Sequence, residues 1–258
     1  MVRNLDHRVE AAVPIYSKKL QNEILQILQI QLSDNVKARV LDNHLQNELT
    51  FIDEITIKIP KKRIEEVQPK LVCFSVPFPG NLYSAFRCAQ FIKANFPNVK
   101  TAMGGGFPNT ELRELKDKRV FEFFDFITLD DGELPVELLY DFVTLSKVEM
   151  PLKRTFLLEN NQVVYKNNSP RNDYKQSEVG TPDYSDLLLD KYISVIEVAN
   201  PMHSLWSDGR WNKLTMAHGC YWGKCTFCDI SLDYIKLYEP VAASLLCDRM
   251  EELVQQTG

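Results

Sequence analysis

This sequence predicts a doubly wound, parallel-sheet α/β domain followed by the start of a β/α barrel. Three observations carry the prediction. Between Lys70 and Ser146, apolar runs of strand length alternate with amphipathic runs of helix length, the pattern that builds a parallel sheet covered by helices. The intervening loops, Pro77-Phe78-Pro79-Gly80, Gly104-Gly105-Gly106 and Asp130-Asp131-Gly132-Glu133, are made of turn-forming residues. From Lys213 onward a short strand, a cysteine-bearing loop and a terminal helix follow in order, which is the first unit of a β/α barrel.

Taken in order, Leu20, Ile24, Ile27, Leu28 and Leu32 recur at helical spacing, with Ser17 as the N-cap. Residues 34–51 are mixed and helical in part. Ile55 to Ile59 alternate as a short strand that Pro60 ends. Leu71 to Val76 is an almost unbroken apolar run, as expected of a strand buried on both faces. A helix spans Tyr83 to Asn95, a strand Val99 to Met103, a helix Thr110 to Leu115, a strand Phe124 to Leu129 and a helix Leu134 to Leu145. Thr155 to Leu158 and Gln162 to Tyr165 flank Asn160-Asn161, a hairpin turn signal. Residues 166–181 read as a polar linker, and Pro240 to Gln256 as a helix with Pro240 in its first turn. The domain boundaries predicted are therefore 1–150 for the α/β domain, 151–210 for hairpin and linker, and 211–258 for an incomplete barrel. The last of these leads to the expectation that the chain is a fragment of a longer protein or that another chain supplies the rest of the barrel.

Composition narrows the function classes. The chain has 258 residues, 45% hydrophobic and 25% charged, with a formal net charge of −5, which argues against broad nucleic-acid binding through a basic surface. No apolar run reaches the ~20 residues that span a bilayer, and the N-terminus has no charged-then-apolar signal pattern. The expected location is the cytosol, where thiols stay reduced. Cys73, Cys88 and Cys247 fall in apolar-periodic runs and are expected to be buried as small hydrophobes. Trp206, Trp211 and Trp222 are expected in core packing.

Right-handed crossovers gather the strand-end loops of a parallel α/β sheet on one edge, where ligands bind. Here those loops are residues 77–82, 104–109 and 130–133. Three consecutive glycines fit a tight strand-to-helix turn, and they also leave backbone N–H groups open to a close ligand.

The densest chemistry lies in Met216 to Asp229, where Cys220, Cys225 and Cys228 fall within nine residues. Three thiolates on one loop point to a metal or iron–sulfur centre with an open coordination position. A structural zinc site completed by His218 uses the same residues. The run resembles the signature of radical S-adenosylmethionine enzymes, including the aromatic Phe227 before the third cysteine, although four residues, Tyr221 to Lys224, stand where that signature has three. A doubly wound domain directly before it resembles the cobalamin-binding domain of one class of these enzymes.

That resemblance implies a 4Fe-4S cluster on Cys220, Cys225 and Cys228 that cleaves S-adenosylmethionine reductively, with Phe227 packed beside the cofactor. It implies that Ser75, Gly104 and Gly105 contact the nucleotide tail of cobalamin. A cobalamin-dependent methyl transfer to a small-molecule substrate, fed by an electron donor such as a flavodoxin or ferredoxin, would follow. Asp6-His7 lacks the spacing and the glycine of the cobalt-ligand motif, so no lower axial ligand is nominated. The alternative function is a non-catalytic, cobalamin-binding α/β protein with zinc at the cysteine loop.

Overall fold

The structure, a computed structural model, describes residues 44–145, 151–185, 187, 212–226, 228–229 and 231–257. Two compact units divide the chain, Met1–Arg171 and Asn172–Gly258. The helix expected from Ser17, Asp6-His7, Trp206 and Trp211 lie outside the described residues.

The first unit opens with helix α1, Phe51–Val67. The strand expected at Ile55 to Ile59 is part of this helix, and Pro60 sits inside it. Local chemistry overrides the alternation. The Thr50 hydroxyl accepts the Asp53 N–H at 3.2 Å while the Asp53 carboxylate accepts the Thr50 N–H at 2.9 Å, a reciprocal capping box that satisfies two donors otherwise lost at the helix start. Ile57 and Ile64, two turns apart, then form its buried stripe.

Strand β1 (Leu71–Ser75) leads through a 3₁₀ turn, Pro79–Asn81, into α2 (Leu82–Asn95). Strand β2 (Lys100–Gly104), the short helix α3 (Gly106–Glu111), strand β3 (Phe126–Thr128) and helix α4 (Glu133–Leu145) follow. Strands β4 (Thr155–Glu159) and β5 (Gln162–Lys166) complete a five-stranded sheet in sequential order β1-β2-β3-β4-β5. The first three strands are parallel, and β4 and β5 add antiparallel. The sheet is thus mixed rather than wholly parallel. The hairpin belongs to it, with its turn at Asn160 and Asn161, φ +49° and +62°, the left-handed pair that a tight two-residue turn requires.

Alternation along the strands sends residues to two faces. Met103, Ile127 and Phe156 pack with Leu82, Phe86 and Ala89 of α2 and with Phe121, Phe123 and Phe124. Ala102, Phe126 and Leu157 pack on the other face with Leu134, Leu138 and Leu139 of α4. Helices therefore cover both faces. Phe124 is central to the first layer, edge-on to Phe74 at 5.5 Å and to Phe86 at 5.0 Å.

The second unit has less regular structure among its described residues. Strand β6 (Ala217–His218) pairs antiparallel with β7 (Glu239–Pro240), flanking a helical turn α5 (Asp233–Lys236), and helix α6 spans Ala243–Thr257. Leu246 and Leu253 are buried on α6. Its buried Arg249 donates to the Gln176 carbonyl at 3.0 Å and also to the Val179 carbonyl, tying residues 176–179 to the helix. No helix among the described residues is long and apolar enough to cross a membrane.

Candidate functional site

The strand-end loops of the first sheet meet at the C-terminal edge of β1 to β3. Ser75 is exposed at the end of β1, in register with Gly104 on β2. Val76 N–H donates to the Gly104 carbonyl at 2.8 Å, and Phe107 N–H to the Val76 carbonyl at 2.9 Å. The glycines make this crossing possible. A Cβ on Gly104 would lie 2.8 Å from Thr128 Oγ1, one on Gly105 2.9 Å from Val76 N, and one on Gly106 2.7 Å from the Pro77 carbonyl oxygen. Gly105 also takes φ +101°, which favours glycine. The space beside all three is filled by neighbouring protein, so tight packing accounts for the cluster.

The same edge carries charges that the strand and loop pattern left unnoticed. Asp130, at φ +62°, donates its N–H to Asn109 Oδ1 at 2.7 Å. Its carboxylate pairs with Arg113 and lies 3.8 Å from Arg154 Nε. Arg154, at φ +45°, also donates to the Leu129 carbonyl at 3.2 Å and to the Asp131 carbonyl at 2.9 Å. Two guanidinium groups thus share one carboxylate. Tyr165 beside them has a raised pKa, first from burial and then from the Asp130 charge, partly offset by Arg154 and Arg113. The signal available in the sequence was weak, because Arg113 and Arg154 lie 41 positions apart and only pairing of β3 with β4 brings their neighbourhoods together.

The cysteine loop is held at its two ends. Cys220 N–H donates to the Ile235 carbonyl at 3.2 Å, and Gly219, at φ +74°, backs onto the Leu237 carbonyl so closely that no Cβ fits. Backbone N–H groups of Gly223 and Trp222 hydrogen-bond to the Cys220 sulfur and lower its pKa. Cys225 and Cys228 are exposed, and Phe227 lies outside the described residues. Among the described residues, no group of three or more His, Cys, Asp or Glu side chains could hold a metal ion. Cys88 is buried, its thiol pushed up to about 11 by burial with a contribution from the Asp53 charge. Cys73 and Cys247 are exposed, contrary to their expected burial; Cys73 shares its sheet face with the buried Ala102 but lies on the edge strand β1. Trp222, expected in a core, is exposed with Lys224 Nζ 5.5 Å from its ring centroid.

Comparison with known proteins points away from the cofactors that the loop suggested. A family model described as polyphosphate kinase C-terminal domain 2 matches residues 1–55. The matched family is polyphosphate kinase. This chain is 47% identical over 47 residues to a polyphosphate kinase of Klebsiella pneumoniae, covering 18% of this chain and 7% of the relative. A polyphosphate kinase of Salmonella typhimurium is 35% identical over 74 residues, 29% of this chain and 9% of the relative. The Escherichia coli K12 enzyme is 45% identical over 47 residues, 18% of this chain and 7% of the relative. The chain thus spans less than a tenth of the length of these relatives. No solved structure matches.

These matches overturn the radical S-adenosylmethionine identification, and the reductive cleavage of S-adenosylmethionine with it. The 4Fe-4S cluster, S-adenosylmethionine and cobalamin are withdrawn as cofactors, as is the alternative of a cobalamin-binding protein with a zinc loop. Three closely spaced cysteines are a short motif, and a short motif by itself identifies no family. The N-terminal segment, which carried the match, showed only an amphipathic helix pattern.

Proposed function

We propose that this chain acts in polyphosphate phosphotransfer. The observation that carries the reading is the polyphosphate kinase match over residues 1–55, together with 45–47% identity over 47 residues to several polyphosphate kinases. In such a reaction the terminal P–O–P bridge of polyphosphate breaks as a terminal phosphoryl group forms a new P–O bond to the β-phosphate of a nucleoside diphosphate. Both substrates are polyanions, and catalysis of this type is mostly positioning and charge neutralisation.

Within this reading, the exposed Ser75 lies on the rim of a ligand edge whose charge comes from Arg113 and Arg154. The guanidinium groups supply the geometry suited to phosphate oxygens. Asp130 holds both in place through its ion pairs. The described residues offer no grouped ligands for the divalent cation that accompanies a nucleotide, so no residue is assigned to it. A cytosolic location suits the nucleotide substrate.

The test is ATP formation by the full chain from polyphosphate and ADP in the presence of magnesium, measured against a heat-denatured control. Turnover above the control supports the reading. Absence of turnover together with absence of polyphosphate binding overturns it.

A further inference from the structure

The end of the matched segment, residues 44–53, meets the sheet unit at one buried arginine. Arg87, on α2, is 2% exposed, and Asp53 is 3% exposed. Its Nη1 donates to the Leu45 carbonyl at 2.9 Å and to Gln90 Oε1 at 2.8 Å. Its Nη2 donates to the His44 carbonyl at 3.1 Å and to the Tyr83 hydroxyl at 2.8 Å. Arg87 Nε lies 3.6 Å from Asp53 Oδ1 and donates to the Tyr83 hydroxyl at 3.3 Å, while that hydroxyl donates to Asp53 Oδ2 at 3.1 Å. Gln90 Nε2 adds a second bond to the Leu45 carbonyl at 3.1 Å.

Apolar attachment of this stretch is slight. Leu45 is buried in the first core layer, but Leu49 and Phe51 are exposed. The polar attachment centres on one guanidinium, which contacts two consecutive carbonyls and the N-terminal cap of α1, with Gln90 and the Tyr83 hydroxyl beside it. Two carbonyl oxygens, a phenol and a carboxylate together use the planar fork of an arginine, which a lysine cannot reproduce.

We infer that Arg87 is a latch: it fastens residues 44–53 of the polyphosphate-kinase-like segment to the α/β unit, and its loss releases them while the sheet stays folded. The inference does not depend on what the matched segment binds. A structural role in the core alone predicts something different, since losing a core residue loosens all elements together.

The test is hydrogen–deuterium exchange of the full chain carrying Arg87→Gln, with Tyr83→Phe as a milder second variant that keeps the ring and removes the bridging hydroxyl. Amides of residues 44–54 are expected to lose at least tenfold in protection in Arg87→Gln, and to lose less in Tyr83→Phe. Amides of β2 and β3, including Ala102 and Ile127, are expected to stay within about twofold of the parent. Equal loss in the strands would overturn the latch, because Arg87 would then support the whole core. Unchanged protection in residues 44–54 would also overturn it, because Leu45 alone would then hold the segment. Should Arg87→Gln not fold, Tyr83→Phe decides by the same pattern.

Discussion

The sheet unit and the cysteine-loop unit hold their shape by different means. In the first, three apolar clusters lie on the two faces of a five-stranded sheet and beneath α1. In the second, two strands of two residues each and a glycine pressed on a carbonyl hold the loop, and Tyr221 and Trp222 face solvent, Tyr221 at 79% exposure. Burial dominates the first unit, and backbone geometry the cysteine loop. Side-chain truncation should therefore be costly in the first unit's core and almost silent on the loop, while adding one methyl group at the right glycine should reverse that order.

The largest effect is expected at Phe124, fully buried between Phe74 and Phe86. Phe124→Ala should destabilise the first unit by about 3–5 kcal/mol in urea denaturation. Next comes Gly219→Ala, whose Cβ would overlap the Leu237 carbonyl. It should cost at least about 1–3 kcal/mol from the left-handed φ and the displaced backbone, read as faster exchange of the Cys220 amide, which is bonded to Ile235. Asn161→Val, which puts a β-branched residue at φ +62°, should cost about 1–2 kcal/mol, whereas Asn161→Gly should be close to neutral.

A pH experiment sharpens the same contrast. Burial tends to raise the pKa of Asp125, but hydrogen bonds from Lys93 and the Thr101 N–H, with the charges of Lys93 and Lys100, outweigh it and lower the value. Lys93 Nζ lies 2.7 Å and Lys100 Nζ 3.1 Å from Asp125 Oδ1. The unfolded chain therefore takes up this proton at higher pH than the folded one. The resulting stability is complete above the ordinary aspartate value of ~3.9 and is lost as pH falls through the lower folded value. Asp125→Asn should remove that acid-side slope from the first unit's unfolding curve. The smallest effect is expected for Cys225→Ala, an exposed thiol on the loop, within about 0.5 kcal/mol of the parent.

Elements that depend on local chemistry were readable from sequence. Asn160-Asn161 is both the turn signal and the observed left-handed pair, and the apolar run at Leu71 to Ser75 is β1. Ile55 to Ile59 misled because alternation over five residues cannot be told from two turns of helix, and the Thr50–Asp53 capping box decided the outcome. The parallel pattern was legible for β1 to β3, but the antiparallel addition of β4 depends on a pairing across many residues that no local pattern encodes. The site was less legible still. Ser75 and Gly104 could be aligned from strand spacing, whereas Arg87, Arg113 and Arg154 meet their carbonyls and carboxylates only after folding. The cysteine loop misled through its spacing, whose family resemblance the matches over residues 1–55 overturned.

Binding of polyphosphate to the full chain, by isothermal titration at low and at physiological ionic strength, tests the proposed function most directly. Saturable binding at low salt that weakens as salt rises is predicted, because attraction between exposed charges is screened within about 8–10 Å at 0.10–0.15 M. Absence of binding at low ionic strength would contradict the account.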